Sequence, residues 1–144
     1  MPGDSRESGV RQTFVLFPAW EQRTVFHVRI ISPSSLNAFV RNRVEPRLQR
    51  VVQEKLDAWF ALASRAEWRN SAELKLQNRS TSIISAERAV FNIKGSDSRL
   101  ITAVDYEHQI LLIIWVGTHR EYDRVDPATV IFDKERYAHP THSK

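Results

Sequence analysis

A chain of 144 residues with 42% apolar and 26% charged side chains and a formal charge of +4 is one soluble globular domain in size, and its composition excludes disordered and fibrous classes. Its longest uninterrupted apolar run, Ile110 to Val116, falls far short of the roughly 20 residues that span a bilayer, so no membrane role is expected. There is no cysteine, hence no disulfide framework and no thiolate metal site; with an N-terminus that lacks a basic start and an apolar core, this points to the cytoplasm.

Residues 1–22 surround a short apolar patch, FVLFPAW, with Gly, Ser and charges, and Pro18 interrupts any regular element there. They read as a partly disordered extension ahead of a domain over 23–130. RTVFHVRII, from Arg23, is β-branched and aromatic and stops at SPSS, so it reads as a first strand. Ser32 as N-cap with Pro33 at the first helical position starts a short helix carrying Leu36, Phe39 and Val40. A second helix is predicted from Pro46 to about Ala66, with Leu48, Val51, Val52, Leu56, Trp59, Phe60 and Ala63 at helical spacing, a face that suits a sheet cover. SAELKLQ, Ser71 to Gln77, matches a capped short helix.

Beyond the loop NRSTS the period changes to two. RAVFNI, SRLITAVDY and QILLIIWV read as three antiparallel strands, the last apolar on both faces and therefore central. Residues 131–144 read as a polar tail. The fold class is α+β.

The surplus positive charge lies in two segments. Arg29, Arg41 and Arg43 are unopposed in residues 26–44, and residues 69–101 carry six basic against three acidic groups. Such a balance favours anionic partners. No nucleotide-binding loop is present, and HPTH, at His139 and His142, stands without a nearby cysteine or carboxylate cluster, so no cofactor and no metal is expected. What remains is a basic and polar set near the strand ends: Arg88, Asn92, Lys94, Arg99, then His119, Arg120, Tyr122 and Arg124. Cleavage of RNA by attack of a 2′-hydroxyl needs a base, cationic donors for the phosphate and an acid for the leaving oxygen, and this set holds each type. As a helical turn, GTHREYDRVD puts His119, Tyr122 and Asp123 on one face.

Three blocks, RAEWRNSAELK (65–75), RAVFNIKGSDSRL (88–100) and WVGTHREYDRVD (115–126), resemble the HigB family of type II toxins in order and spacing. The resemblance implies a RelE-like α+β fold with two N-terminal helices packed on a small antiparallel sheet. It also implies a metal-independent endoribonuclease that cleaves mRNA, commonly on the ribosome, and is silenced by a HigA-like antitoxin with a helix-turn-helix domain. The family's THxEYD block falls on Thr118, His119, Glu121, Tyr122 and Asp123, and its basic strand residue on Arg99. That casts His119, Tyr122 and Arg99 as catalytic, with Lys94, Arg120, Arg124, Arg88 and Asn92 as RNA contacts and Asp123 as an orienting group.

The sequence departs from the family at two places. Residues 95–99 read GSDSR where GNKYR is typical, and Ile114 stands where an arginine is common, three residues before Gly117. Loss of a cationic donor reduces activity unless Lys94 compensates, and the alternative is a RelE-like binding module that keeps antitoxin recognition or a regulatory role without catalysis. The side chains of His119, Tyr122 and Arg99 are expected to converge on one concave surface within about 10 to 12 Å.

Overall fold

The computed structural model describes residues 27–93 and 95–138. Its elements run β1 (Arg29–Ile31), α1 (Ser34–Arg43), α2 (Gln49–Ser64), α3 (Ser71–Gln77), β2 (Ser82–Ile83), β3 (Arg88–Ile93), β4 (Ser98–Asp105), β5 (Ile110–Thr118) and α4 (His119–Tyr122), with 3-10 turns at Pro46–Leu48 and Lys134–Tyr137. The strands form one sheet in the order β1-β5-β4-β3-β2.

Three helix starts show how sequence becomes local structure. α3 follows Asn70, whose side chain accepts from the Glu73 backbone at 2.9 Å, an N-cap that satisfies one of the orphan donors of the first turn. α2 follows a 3-10 turn with Pro46 at its first position, where a missing N–H costs nothing. At α1 the cap differs from expectation: Ser32 has φ 66° and caps with its backbone carbonyl, which accepts from Ser35 at 3.1 Å, so Pro33 takes the cap position without a side-chain bond.

Phe39 and Leu56 are fully buried between α1, α2 and one face of the sheet, together with Trp59, Phe91, Leu100, Leu111, Ile113 and Val116. Each such side chain contributes about 1.5–3 kcal/mol on leaving water. Leu48 and Val51, counted with the apolar face of α2, are instead exposed. The other sheet face holds a smaller cluster of Val90, Ile101, Ile114 and Trp115, partly covered by Tyr122, Val125 and Val130.

Two expectations for the sheet need correction. It is mixed, because β1 pairs with β5 in parallel through Arg29–Ile110, Ile30–Leu111 and Ile31–Leu112. Parallel pairing needs a long crossover, and the helical segment between β1 and the other strands supplies one. The middle strand is β4, not β5. β5 reads as central because a bulge turns both Ile114 and Trp115 to the second face: Ile101 pairs with Trp115 and Thr102 with Ile113, leaving Ile114 as the extra residue.

Part of the segment read as a C-terminal tail belongs to the core. β1 covers only the first three residues of β5, and the edge beyond is covered by the turn Lys134–Tyr137. There the Val116 N–H donates to the Tyr137 hydroxyl at 2.9 Å, and Arg136 donates to the Val116 carbonyl at 3.1 Å. An open strand edge invites pairing with another chain, and this turn satisfies it with side chains instead. Residues 1–22, and the HPTH pair, lie outside the described residues.

Candidate functional site

The site lies where β4 begins beside the end of β5, Arg99 facing Gly117 and Ser98 facing Thr118. β5 stops because Thr118 caps α4. Its hydroxyl accepts from the Glu121 backbone at 3.1 Å, and the Glu121 carboxylate accepts from the Thr118 backbone at 3.0 Å, a reciprocal capping box. The first helical N–H, that of His119, donates to the Asp97 carbonyl at 3.0 Å. Asp97 sits at φ 55° in the loop between β3 and β4, a left-handed conformation that Asp tolerates better than most residues. The backbone of the loop that departs from the family at 96–98 thus still meets the start of the helix that carries His119.

Arg99, His119 and Tyr122 meet. Arg99 Nη2 lies 2.7 Å from His119 Nδ1, Arg99 Nη1 donates to Asn92 Oδ1 at 2.6 Å, and the guanidinium carbon lies 5.9 Å from the Tyr122 ring centroid. A guanidinium can only donate, so Nδ1 of His119 accepts and the ring proton sits on Nε2. Asp123 Oδ2 is 4.0 Å from that Nε2, beyond hydrogen-bond reach, with both side chains about half exposed or more. Asp123 thus does not fix the His119 ring. Arg99 holds its place between an amide oxygen and an imidazole nitrogen over an aromatic ring, and among the described residues no carboxylate pairs with it.

The remaining predicted contacts divide. Arg88 donates to the carbonyls of Pro127 at 2.9 Å and Val130 at 2.8 Å, tying down the segment that covers the second apolar cluster. That use is structural, against the RNA contact expected from its charge. Arg120 and Arg124 are exposed, one and five residues beyond His119. Lys94 lies outside the described residues. Ile114 is buried beside Trp115 in the apolar floor, so no cation rises from that position.

Sequence reasoning missed the other side of α4. Glu121 accepts from Arg43 Nη2 at 2.8 Å and from Arg136 Nη2 at 3.1 Å, and Arg43 also donates to the Arg136 carbonyl at 3.1 Å. Arg136 stacks on Trp115, 4.5 Å from its ring centroid. Burial pushes the Glu121 carboxyl up, but the Thr118 N–H, the Arg43 hydrogen bond and the charges of Arg136 and Arg43 outweigh it and hold the group below the ordinary glutamate range. The signal in the sequence was T-x-x-E at 118–121, a capping box; its arginine partners had none.

The sequence model of the HigB_toxin family, described as the RelE-like toxic component of a toxin-antitoxin system, matches residues 52–125, half of the chain. The chain belongs to this family. No individual curated protein matches it. In this HigB-family chain the matched segment contains Asn92, Arg99, His119, Glu121 and Tyr122, whereas Arg43 and Arg136 lie outside it. A toxin of this kind has an antitoxin as its partner, and among the described residues no helix is long and apolar enough to cross a membrane.

Proposed function

We propose that the chain is a cytoplasmic mRNA endoribonuclease, acting on ribosome-bound mRNA and silenced by a HigA-like helix-turn-helix antitoxin, with a toxin unit that extends past residue 130 to take in the turn Lys134–Tyr137. One observation carries this reading: a half-buried arginine at the strand end beside α4 is held by an amide oxygen and an imidazole nitrogen, so its positive charge is kept for a substrate. Only two of its five N–H groups are used in those bonds, and a phosphate takes the others.

The chemistry follows from the bonds already made. A phosphate that draws Arg99 toward itself releases Nδ1 of His119, which then takes the proton of the 2′-hydroxyl as that oxygen attacks phosphorus. Arg99 stabilises the charge that develops on the non-bridging oxygens. Tyr122 stacks on a base or gives its proton to the leaving 5′-oxygen, and base, donor and acid are all side chains of the protein. Arg120, Arg124 and Lys94 extend the phosphate path, and Asn92 steadies Arg99.

The test is induction in a bacterial host with mapping of mRNA ends. Wild type should arrest growth and create new mRNA ends, and His119→Ala and Arg99→Ala should remove both effects. Normal growth with intact mRNA at confirmed soluble expression sinks the reading. A second reading, a binding module that keeps antitoxin recognition, is favoured by the burial of Ile114, which leaves an apolar floor where relatives often place a cation. Purified protein that captures its antitoxin yet leaves ribosome-bound mRNA whole selects it.

A further inference from the structure

α4 has four residues, far too few to persist as a helix without outside support. Yet its first residue carries Nδ1 to 2.7 Å from Arg99, a contact that weakens steeply with small rotations of the turn. Something must fix the helix about its own axis. The Thr118–Glu121 box and the Asp97 carbonyl satisfy its amino end, but both act on backbone close to the helix start and leave its roll free.

Tyr122 packs against Trp115 on one side of the turn, and on the other Glu121 ties it by hydrogen bonds to two further elements. One carboxylate oxygen is held by Arg43 from α1, and the other by Arg136 from the turn Lys134–Tyr137, while Arg43 closes the triangle on the Arg136 carbonyl. Arg136 is itself fixed between Trp115 and the Val116 carbonyl, so the clamp is referenced to β5, the strand that leads into the site. Both arginine side chains are only 17% exposed. A clamp built for stability alone has better alternatives in apolar packing. This one also leaves Arg43 Nε buried with no partner, a cost that tolerates explanation only if the geometry matters.

We propose that Glu121 is a positioning residue, and that Arg43 and Arg136, both outside the family match, complete the site by rolling α4 to the angle at which His119 Nδ1 meets Arg99. The inference rests on the reading of His119 and Arg99 as the reacting pair, and its consequence for the ring can be read without any cleavage assay. A clamped α4 holds His119 as a single tautomer, with its proton on Nε2. A loosened α4 releases Nδ1 to water and allows both tautomers.

The experiment is nitrogen NMR of histidine-labelled full-length protein, with the His119 signal identified by its loss in His119→Ala. Wild type should show the Nε2–H tautomer, and Glu121→Gln and Arg136→Met should show a mixture while circular dichroism stays native. Arg136→Lys, which keeps a charge on Glu121, should restore most of the wild-type signal and also serves if the other variants fail to fold. Alongside, Glu121→Gln should lower kcat for RNA cleavage by about 10- to 100-fold with KM near wild type, as expected for a misplaced rather than missing group. A His119 signal unchanged in folded Glu121→Gln and Arg136→Met overturns the inference. The tautomer change in these variants, together with a wild-type protein that cleaves no RNA, supports the positioning role and overturns the ribonuclease reading instead.

Discussion

The two sides of α4 use arginine in opposite ways. On the Glu121 side, Arg43 and Arg136 are largely buried, share one carboxylate and touch aromatic or backbone groups. On the His119 side, Arg99 is partly open and bound only by neutral acceptors. In the first group the charge is spent within the protein; in the second it is kept. Formal charge therefore says little about which arginines meet a phosphate, and the identity of the acceptor says more. Arg88 limits the point from a third position: two neutral carbonyls hold it, yet its bonds anchor the chain at 127–130, so the place of the acceptor counts as well as its charge.

The largest expected effect tests the open side. Arg99→Ala should lower RNA cleavage by about 100-fold or more, near 2.7 kcal/mol of transition-state stabilisation. Its thermal stability should stay within about 0.5 kcal/mol of wild type, because no charge partner is orphaned. Cleavage rates beside thermal melts decide this, and a large loss of stability would erase the contrast with the Glu121 side.

The closed side breaks through its packing. A methyl group added at Gly117 would lie 2.3 Å from Trp115 Cη2 and 2.6 Å from Arg136 Nη2, so Gly117→Ala must push the stacked pair apart. The expected cost is about 1–3 kcal/mol in urea denaturation, with the same broadening of the His119 tautomer as Arg136→Met. A smaller change sharpens the same point. Tyr137→Phe removes the hydroxyl that receives the Val116 N–H and leaves that buried donor unpaired, at about 1–2 kcal/mol. Arg136 keeps its own bond to the Val116 carbonyl, so cleavage by the folded protein should change little, and a large loss of kcat would mean the edge turn acts on the site through more than Arg136.

Much of this was legible in the sequence. The alternation of RAVFNI and SRLITAVDY gives β3 and β4, and SAELKLQ gives α3 at its observed bounds. The spacing of His119 and Tyr122 places both on one face of a turn, and the strand-end arginine sits where the pairing of Arg99 with Gly117 brings it to them. What escaped had no local signal. Seven consecutive apolar residues in β5 carry no phase, so the bulge at Ile114 cannot be read from them. β1 is three residues long and finds its parallel partner some 80 positions away. Arg43 and Arg136 reach Glu121 from 78 and 15 residues off, and Tyr137 looks like tail because its burial depends on an edge that β1 leaves open.

The subtlest test separates the two sides by acid. Glu121 is held below the ordinary glutamate value of about 4.3, with its burial outweighed by the Thr118 N–H and the two arginines. A carboxyl whose folded value lies below its unfolded one stabilises the protein fully above the unfolded value, and that contribution disappears as pH falls through the folded one. Between pH 5 and 8 the Glu121 clamp should therefore be constant. From about pH 4 downward the unfolded chain takes up the proton first, and the stability gained from the clamp declines. Glu121→Gln has no such proton to take up, so its stability should run below wild type at neutral pH and converge with it in acid. Arg99→Ala should instead run parallel to wild type from pH 5 downward, where Glu121 loses its charge, because neither partner of Arg99 is a carboxylate. Urea midpoints at pH 3, 4, 5 and 7 compare the three proteins, and a wild-type curve that stays parallel to Glu121→Gln down to pH 3 would mean that the two arginines contribute nothing through the charge of Glu121.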